Sequence, residues 1–294
     1  MIGPMKQPFP LLTIAGSDSG GAAGLQADLK TWAALGAYGM SALTAVTAQN
    51  SARVVAVHYL SPELIAAQID AVLSDYGAAA IKTGFLGRVE IVEVVAERLA
   101  WWRNGAPGRG AQDAGRGGSR THLDARPIVV VDPVLVNYRG EAMFPPEVAD
   151  AYRELLFPVA DLVTPNVAEA GLLGFVAENG RQPTPDGRKE TIVRDAPTGV
   201  PRLLVKGAAR TTAAIADVYV DGDQRLELAQ SRIDTINTHG SGDTLSAAIC
   251  YFAASGHDWP TAVRRAQRFT HAAIARGAGW RLGEGHGPLG IEGW

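Results

Sequence analysis

Two hydrophobic periodicities take turns along the chain. Leu11 to Ala15 forms a short, wholly apolar run that ends at Gly16, the mark of a buried strand. Gly24 to Leu35 then places Leu25, Leu29, Trp32 and Leu35 on one helical face. Strands are predicted over Tyr38–Ala48 and, at a sheet edge, Val54–Tyr59. Ser61-Pro62-Glu63 opens a helix that reaches about Asp75, with a capping serine, a first-turn proline and an acid. Ala79–Lys82, Ile128–Asp132, Asp161–Thr164 and Leu203–Lys206 read as further strands, the last ending at Gly207. Val89–Trp102, Pro146–Leu156, Ala168–Leu173, Gly242–Ala254 and Thr261–Arg276 read as helices. Ala214–Val220 and Arg225–Ala229 form a hairpin around Asp221-Gly222. Arg103–Arg126 and Asn179–Glu190 are polar, lack periodicity and read as surface insertions.

Repeated strand–helix alternation predicts an α/β fold with a mostly parallel sheet covered on both faces. No internal repeat or linker divides the chain, so residues 1–294 are expected to form one domain. Ligands of such sheets gather beyond the carboxyl ends of the strands, and chemistry is sought there.

Composition narrows the function classes. A net charge of −3 argues against a dedicated nucleic-acid binder. No apolar run reaches the ~18–20 residues of a membrane span. The opening MIGPMKQPFP lacks the apolar core of a secretory leader, so a cytoplasmic protein is expected. A single cysteine, Cys250, permits no internal disulfide, and the six histidines show no metal-ligand spacing.

The strongest local signal is Asn237-Thr238-His239-Gly240-Ser241-Gly242-Asp243, directly before an apolar helix. Gly240 and Gly242 let the backbone approach an anion, and the helix start aims free N–H groups and its dipole at the same point. Asp243 beside such a pocket suits a general base that takes a proton from a substrate hydroxyl. A plain glycine turn with a first-turn acid is the competing explanation. No G-x-x-x-x-G-K-[ST] loop occurs, and Leu245 stands where a dinucleotide fingerprint needs glycine.

A second signal, Ala15-Gly16-Ser17-Asp18-Ser19-Gly20-Gly21-Ala22-Ala23-Gly24, links the first strand to the first helix with small residues that leave room for a ligand. Asp28, one turn further on, could reach a polar substrate group. Gln49 ends a strand, and its amide suits the edge of an aminopyrimidine. Phe85 could stack on a flat ring. Asp132, Asn166, Glu169 and Lys206 lie at other strand ends. Carboxylates with an amide suit Mg²⁺, and the lysine suits phosphate.

These blocks together closely resemble hydroxymethylpyrimidine/phosphomethylpyrimidine kinases of thiamine biosynthesis. The resemblance runs from Leu12–Thr31 and Ala34–Gly39 through Thr47–Asn50, Lys82-Thr83-Gly84, Asp132-Pro133-Val134, Thr164–Asn166, Lys206-Gly207 and Asn237–Gly240 to Gly285–Pro288. It implies a ribokinase-like fold and ATP- and Mg²⁺-dependent phosphorylation of 4-amino-5-hydroxymethyl-2-methylpyrimidine and then of its monophosphate. It implies Gln49 as the pyrimidine reader, with Gly16, Ala23, Asp28 and Phe85 lining that pocket. Asp132 and Glu169 fall at metal positions, Lys206, Asn166 and Thr238 at ATP positions, and Gly240 and Gly242 at the anion hole. A homodimer is usual in the family, and K⁺ assistance is left open.

Two departures stand out. The family commonly carries cysteine where this chain has Asp243, and Lys-Gly-Gly-His where it has Lys206-Gly207-Ala208-Ala209. Aspartate strengthens the general-base reading but should disfavour an already phosphorylated substrate. A pyridoxal or pyridoxine kinase is the alternative in the same reaction class. A pyrimidine-binding sensor without turnover is the alternative outside it.

Overall fold

The computed structural model describes residues 7–105, 126–176, 182–183, 189–191, 193–194 and 199–291. Its centre is a sheet of eleven strands whose main path runs β11-β10-β9-β6-β5-β4-β1-β2-β3. The strands are β1 (Pro10–Ser17), β2 (Tyr38–Gln49), β3 (Val54–Tyr59), β4 (Ala80–Thr83), β5 (Ile128–Val131) and β6 (Leu162–Val163), followed by β7 (Gln182–Pro183), β8 (Lys189–Glu190), β9 (Arg202–Arg210), β10 (Ala214–Asp221) and β11 (Gln224–Ser231). β2, β1, β4, β5, β6 and β9 pair in parallel, while β3, β10 and β11 close the two ends antiparallel. The continuous burial of Leu11 to Gly16 follows from β1 lying inside the parallel block with both faces covered.

The helices are α1 (Gly24–Leu35), α2 (Pro62–Asp75), α3 (Val89–Arg103), α4 (Pro146–Ala151), α5 (Val167–Leu172), α6 (Ser241–Ala254) and α7 (Trp259–Gly277). One buried layer joins α2, α3 and α4 to one face of the sheet through Ile65, Ile69, Ile91, Val95, Leu99 and Val148. The opposite layer joins α1, α6 and α7 through Trp32, Ala247, Ile249, Val263 and Phe269. Trp32 also donates its indole N–H to the Ala247 carbonyl at 2.8 Å, which pins α1 against α6. Ser61 caps α2 by accepting from Leu64 N–H at 3.3 Å, and Pro62 sits in its first turn.

Three expected elements differ. The Pro146–Leu156 helix is α4 followed by a π turn over Tyr152–Leu156 and a 3₁₀ turn over Phe157–Val159. The π turn is closed by the Phe157 N–H on the Tyr152 carbonyl, and Pro158, which has no N–H, cannot carry the segment further as an α-helix. β9 continues past Gly207 to Arg210, with Gly207 at φ +66° and its N–H given to Asp217 Oδ1 at 2.7 Å. Arg103 belongs to α3 rather than to an insertion. Its guanidinium is buried against Asp161, at 2.8 and 2.9 Å, and the Val159 carbonyl. Residues 106–125 of the first insertion, and most of the second, lie outside the described residues.

Candidate active site at the carboxyl ends of the strands

The turn before α6 is the centre of the site. Gly240 has φ +82°, and a Cβ there would lie 1.8 Å from the Ala22 carbonyl oxygen and 3.2 Å from Ala23 Cα. Only glycine allows the turn to press so closely on the loop between β1 and α1. Gly242 faces the other way. A Cβ there would lie 3.0 Å from Lys206 Nζ and 3.7 Å from Asp132 Oδ2. The α6 start is thereby wedged between the small-residue loop and the Lys206–Asp132 pair.

The loop side carries the expected pocket groups. Asp18 accepts from the N–H groups of Gly20, Ala22 and Ala23 at 2.8, 3.0 and 2.9 Å, which folds the loop around one carboxylate. Burial pushes the Asp18 carboxyl up, but His239 and these N–H groups offset it, and the net position is below the ordinary range. Gln49 Nε2 lies 3.2 Å from His239 Nε2, and the same ring nitrogen lies 3.6 Å from Asp18 Oδ2. A Cβ on Gly16 would touch Phe85 Cδ1 at 3.0 Å. Phe85 stacks on Tyr59 with centroids 6.0 Å apart and meets Phe144 edge-on at 5.5 Å. Gly16 thus packs on Phe85, while Ala23 and Gln49 are linked through Asp18 and His239.

Asp28 is placed differently from the expectation. It has no exposed surface, and its carboxylate is taken by Thr13 Oγ1 at 2.6 Å and by Lys82 Nζ at 2.9 and 3.0 Å. One turn into α1, its side chain points at the sheet, behind the ligand space. Lys82 continues the chain of contacts to Asp243 Oδ1 at 2.8 Å. The Asp243 side chain, 15% exposed, is the outermost member. Burial raises the Asp243 carboxyl, yet Lys82, the Gly24 N–H and Lys206 overcome that, so it is held ionised below its ordinary range.

The other side of the α6 start gathers the remaining strand-end groups. Lys206 Nζ lies 2.7 Å from Asp132 Oδ1. Thr164 Oγ1 and Ser246 Oγ each donate to Asp132 at 3.2 Å. Asn166 and Glu169 form a reciprocal cap at the start of α5. Glu169 accepts from Asn166 N–H at 2.8 Å and Leu135 N–H at 3.3 Å. Burial raises the Glu169 carboxyl to about 7, with Lys206 opposing and Asp132 adding to the rise. Among the described residues, no three His, Cys, Asp or Glu side chains are grouped to hold a metal ion. Asp132 and Glu169, with their oxygens already engaged, fit an ion bound through water and phosphate rather than a protein cage. Thr238 turns its hydroxyl to His286 Nε2 at 2.7 Å. Its neighbours Thr235, Ile236 and Asn237, with Ala278–Gly285, line a cavity of about 460 Å³.

Lys82, His239 and the Ala278–Gly285 segment had no role in the sequence reading. The strand-end rule that singles out Lys206 applies equally to Lys82, so that signal was present. The cavity wall carried no comparable signal, since Trp280 and Leu282 look like scattered surface apolar residues.

The arrangement puts the Asp243 carboxylate, the start of α6, Lys206 and the Asp132–Glu169 acidic pair near one another, with Lys82 buried behind Asp243. Comparison with known proteins identifies the family. The family model described as phosphomethylpyrimidine kinase matches residues 18–105 and 119–290. The hydroxymethylpyrimidine/phosphomethylpyrimidine kinase of Rhizobium meliloti is 41% identical, over 95% of each chain. The enzyme of the same name from Streptomyces coelicolor is 40% identical, over 99% of this chain and 97% of that one. The pyridoxal kinase of Staphylococcus aureus, solved with AMP-PCP and pyridoxal, superposes with a TM-score of 0.74 at 28% identity, over 97% of this chain and 94% of that one. Fold, rim chemistry and full-length similarity converge: the chain is a phosphotransferase with a ribokinase-like fold, and it belongs to the phosphomethylpyrimidine kinase family.

Proposed function

We propose that this kinase transfers the γ-phosphoryl group of ATP to the hydroxymethyl group of 4-amino-5-hydroxymethyl-2-methylpyrimidine. The observation that carries this reading is the placement of Asp243. Its ionised carboxylate lies at the start of α6, between the loop that holds Ala23 and the Lys206–Asp132 pair. There it takes the hydroxyl proton as the alcohol oxygen attacks phosphorus. Lys206 and the N–H groups after Gly240 face the charge on the transferring group, and such positioning and electrostatics dominate phosphoryl transfer. Gln49 reads the pyrimidine edge, and Gly16, Ala23 and Phe85 shape the ring pocket. Asn166 and Thr238 support the nucleotide side. The cavity between Ile236 and the Ala278–Gly285 segment, lined by polar and apolar residues alike, has room for a purine base. Mg²⁺, when bound, would neutralise the nucleotide phosphates beside Asp132 and Glu169, through water. The enzyme is expected to act in the cytoplasm as a homodimer.

The monophosphate is expected as a second, slower acceptor. A carboxylate at position 243 repels a phosphorylated substrate, though its pairing with Lys82 at 2.8 Å spreads that charge. The likeness to pyridoxal kinase keeps a 3-hydroxypyridine alcohol as the competing substrate. A coupled ADP-release assay across the pyrimidine alcohol, its monophosphate, pyridoxal and ribose tests both points. The pyrimidine alcohol should have the highest kcat/KM, with the monophosphate slower. Preference for pyridoxal would overturn the substrate assignment, and equal rates on alcohol and monophosphate would overturn the repulsion argument.

A further inference from the structure

Lys82 has no exposed surface, yet it is held by carboxylates from two different helices. Its ammonium lies 2.9 and 3.0 Å from the oxygens of Asp28 on α1 and 2.8 Å from Asp243 on α6. The space is tight: a Cβ on Gly84 would come within 3.1 Å of Nζ. Behind Asp28, the Thr13 hydroxyl on β1 donates to Oδ2 at 2.6 Å. The line Thr13–Asp28–Lys82–Asp243 thus runs from the sheet interior to the rim of the site, and only its last member reaches the ligand space. A buried cation with two carboxylates is costly to assemble, and removing one partner leaves an uncompensated charge. Nothing in binding the substrate needs such an array.

We propose that Lys82 and Asp28 are positioning residues for the phosphoryl transfer: Lys82 fixes the Asp243 carboxylate, and the charge on Asp28 sets how strongly Lys82 keeps a proton off it. The inference rests on Asp243 acting as the base. In the step concerned, the alcohol O–H breaks and its proton passes to Asp243. The oxygen lone pair forms the new O–P bond, and the bond from phosphorus to ADP breaks. Asp243 must therefore gain a proton while it faces Lys82. When Asp28 is neutral, the whole charge of Lys82 falls on Asp243 and opposes that gain. When Asp28 is ionised, Lys82 is shared and Asp243 is the stronger base.

The groups facing Asp28 are few. They are Lys82 on β4, Thr13 on β1, and Asp243 and the Cys250 thiol on α6. Burial drives the Asp28 carboxyl up to about 7, against Lys82 and with Asp243 adding to the rise. The charge on Asp28 then changes within the working range, and kcat rises with pH through that region. A neutral side chain at this position freezes the low-pH condition.

The test is kcat against pH for Asp28→Asn and the unmodified enzyme, at saturating ATP and pyrimidine alcohol. Near pH 6 the two should agree within about twofold, and at about pH 8.5 the variant should be slower by roughly threefold to tenfold, with KM values unchanged. Profiles that run parallel at any offset would mean that Asp28 acts only through structure, and the proposal falls. Thr13→Val supplies an independent arm that spares both charged residues. It removes a hydrogen bond that favours ionised Asp28, so the acid limb should move up by roughly 0.5–1 pH unit. An unmoved limb in that variant also overturns the proposal. Asp243→Ala with near-normal kcat would instead remove the reading on which this rests, so the two failures are distinguishable.

Discussion

Gly240 answers two constraints at once. Its φ of +82° is a left-handed conformation, and its α-carbon presses on the Ala22 carbonyl, where a Cβ would stand 1.8 Å away. Gly240→Ala must therefore move either the turn before α6 or the loop between β1 and α1. Displacement of a reacting group by about 1 Å can cost on the order of 10²-fold in rate, so kcat is expected to fall by about that factor while the fold survives. Steady-state kinetics with a melting curve on the same sample checks this. A kcat within about threefold of the unmodified enzyme would mean that the contact does not set the turn. The glycines were legible in the sequence because backbone freedom is a local property. The role of Asp28 was not. Its partner Lys82 is 54 positions away, and the third member, Asp243, is 161 positions beyond Lys82. An acid one helical turn after a small-residue loop looks the same whether it faces ligand or sheet.

Elements carry the site by where they end. β1, β2, β5, β6 and β9 end at the loop, Gln49, Asp132, Asn166 and Lys206, while β4 carries Lys82 to a buried position behind Asp243, and the strand-end rule found most of this set. Boundaries failed where a single residue changed the hydrogen-bonding pattern. Pro158 closed the helical segment that follows α4, and Gly207 did not stop β9 because β10 continued to pair beyond it. Lys82 joins three elements, since β4 presents it to α1 and α6. Lys82→Met would leave Asp28 and Asp243 facing each other without a cation. Breaking a buried pair in this way costs about 3–5 kcal/mol, and urea unfolding should show a loss of that size. A loss below about 1 kcal/mol would mean that the array is far more hydrated than its burial implies.

At the scale of the whole molecule, the parallel sheet with antiparallel ends places the loop between β1 and α1 and the Lys206–Asp132 pair on either side of one helix start. The small-residue loop packs against Gly240 on one side, and Lys206 with Asp132 lies beside Gly242 on the other, while the cavity between Ile236 and Trp280 is walled by a segment that packs on Ser51, two residues after Gln49. Strand–helix alternation foretold the sheet, and the ordered motif blocks foretold the family, because both are written in local patterns repeated along the chain. The cavity wall was not foretold, since it is assembled from a loop before α6 and another after α7. The α6 start is where the two sides meet, and the account turns on Asp243 taking the alcohol proton there. The most direct measurement compares Asp243→Asn with the unmodified enzyme for kcat and for pyrimidine-alcohol affinity by calorimetry. With Asp243 as the base, kcat falls by roughly 10²–10⁴ while Kd stays within about threefold. A kcat within about tenfold of normal, with affinity likewise retained, would contradict it.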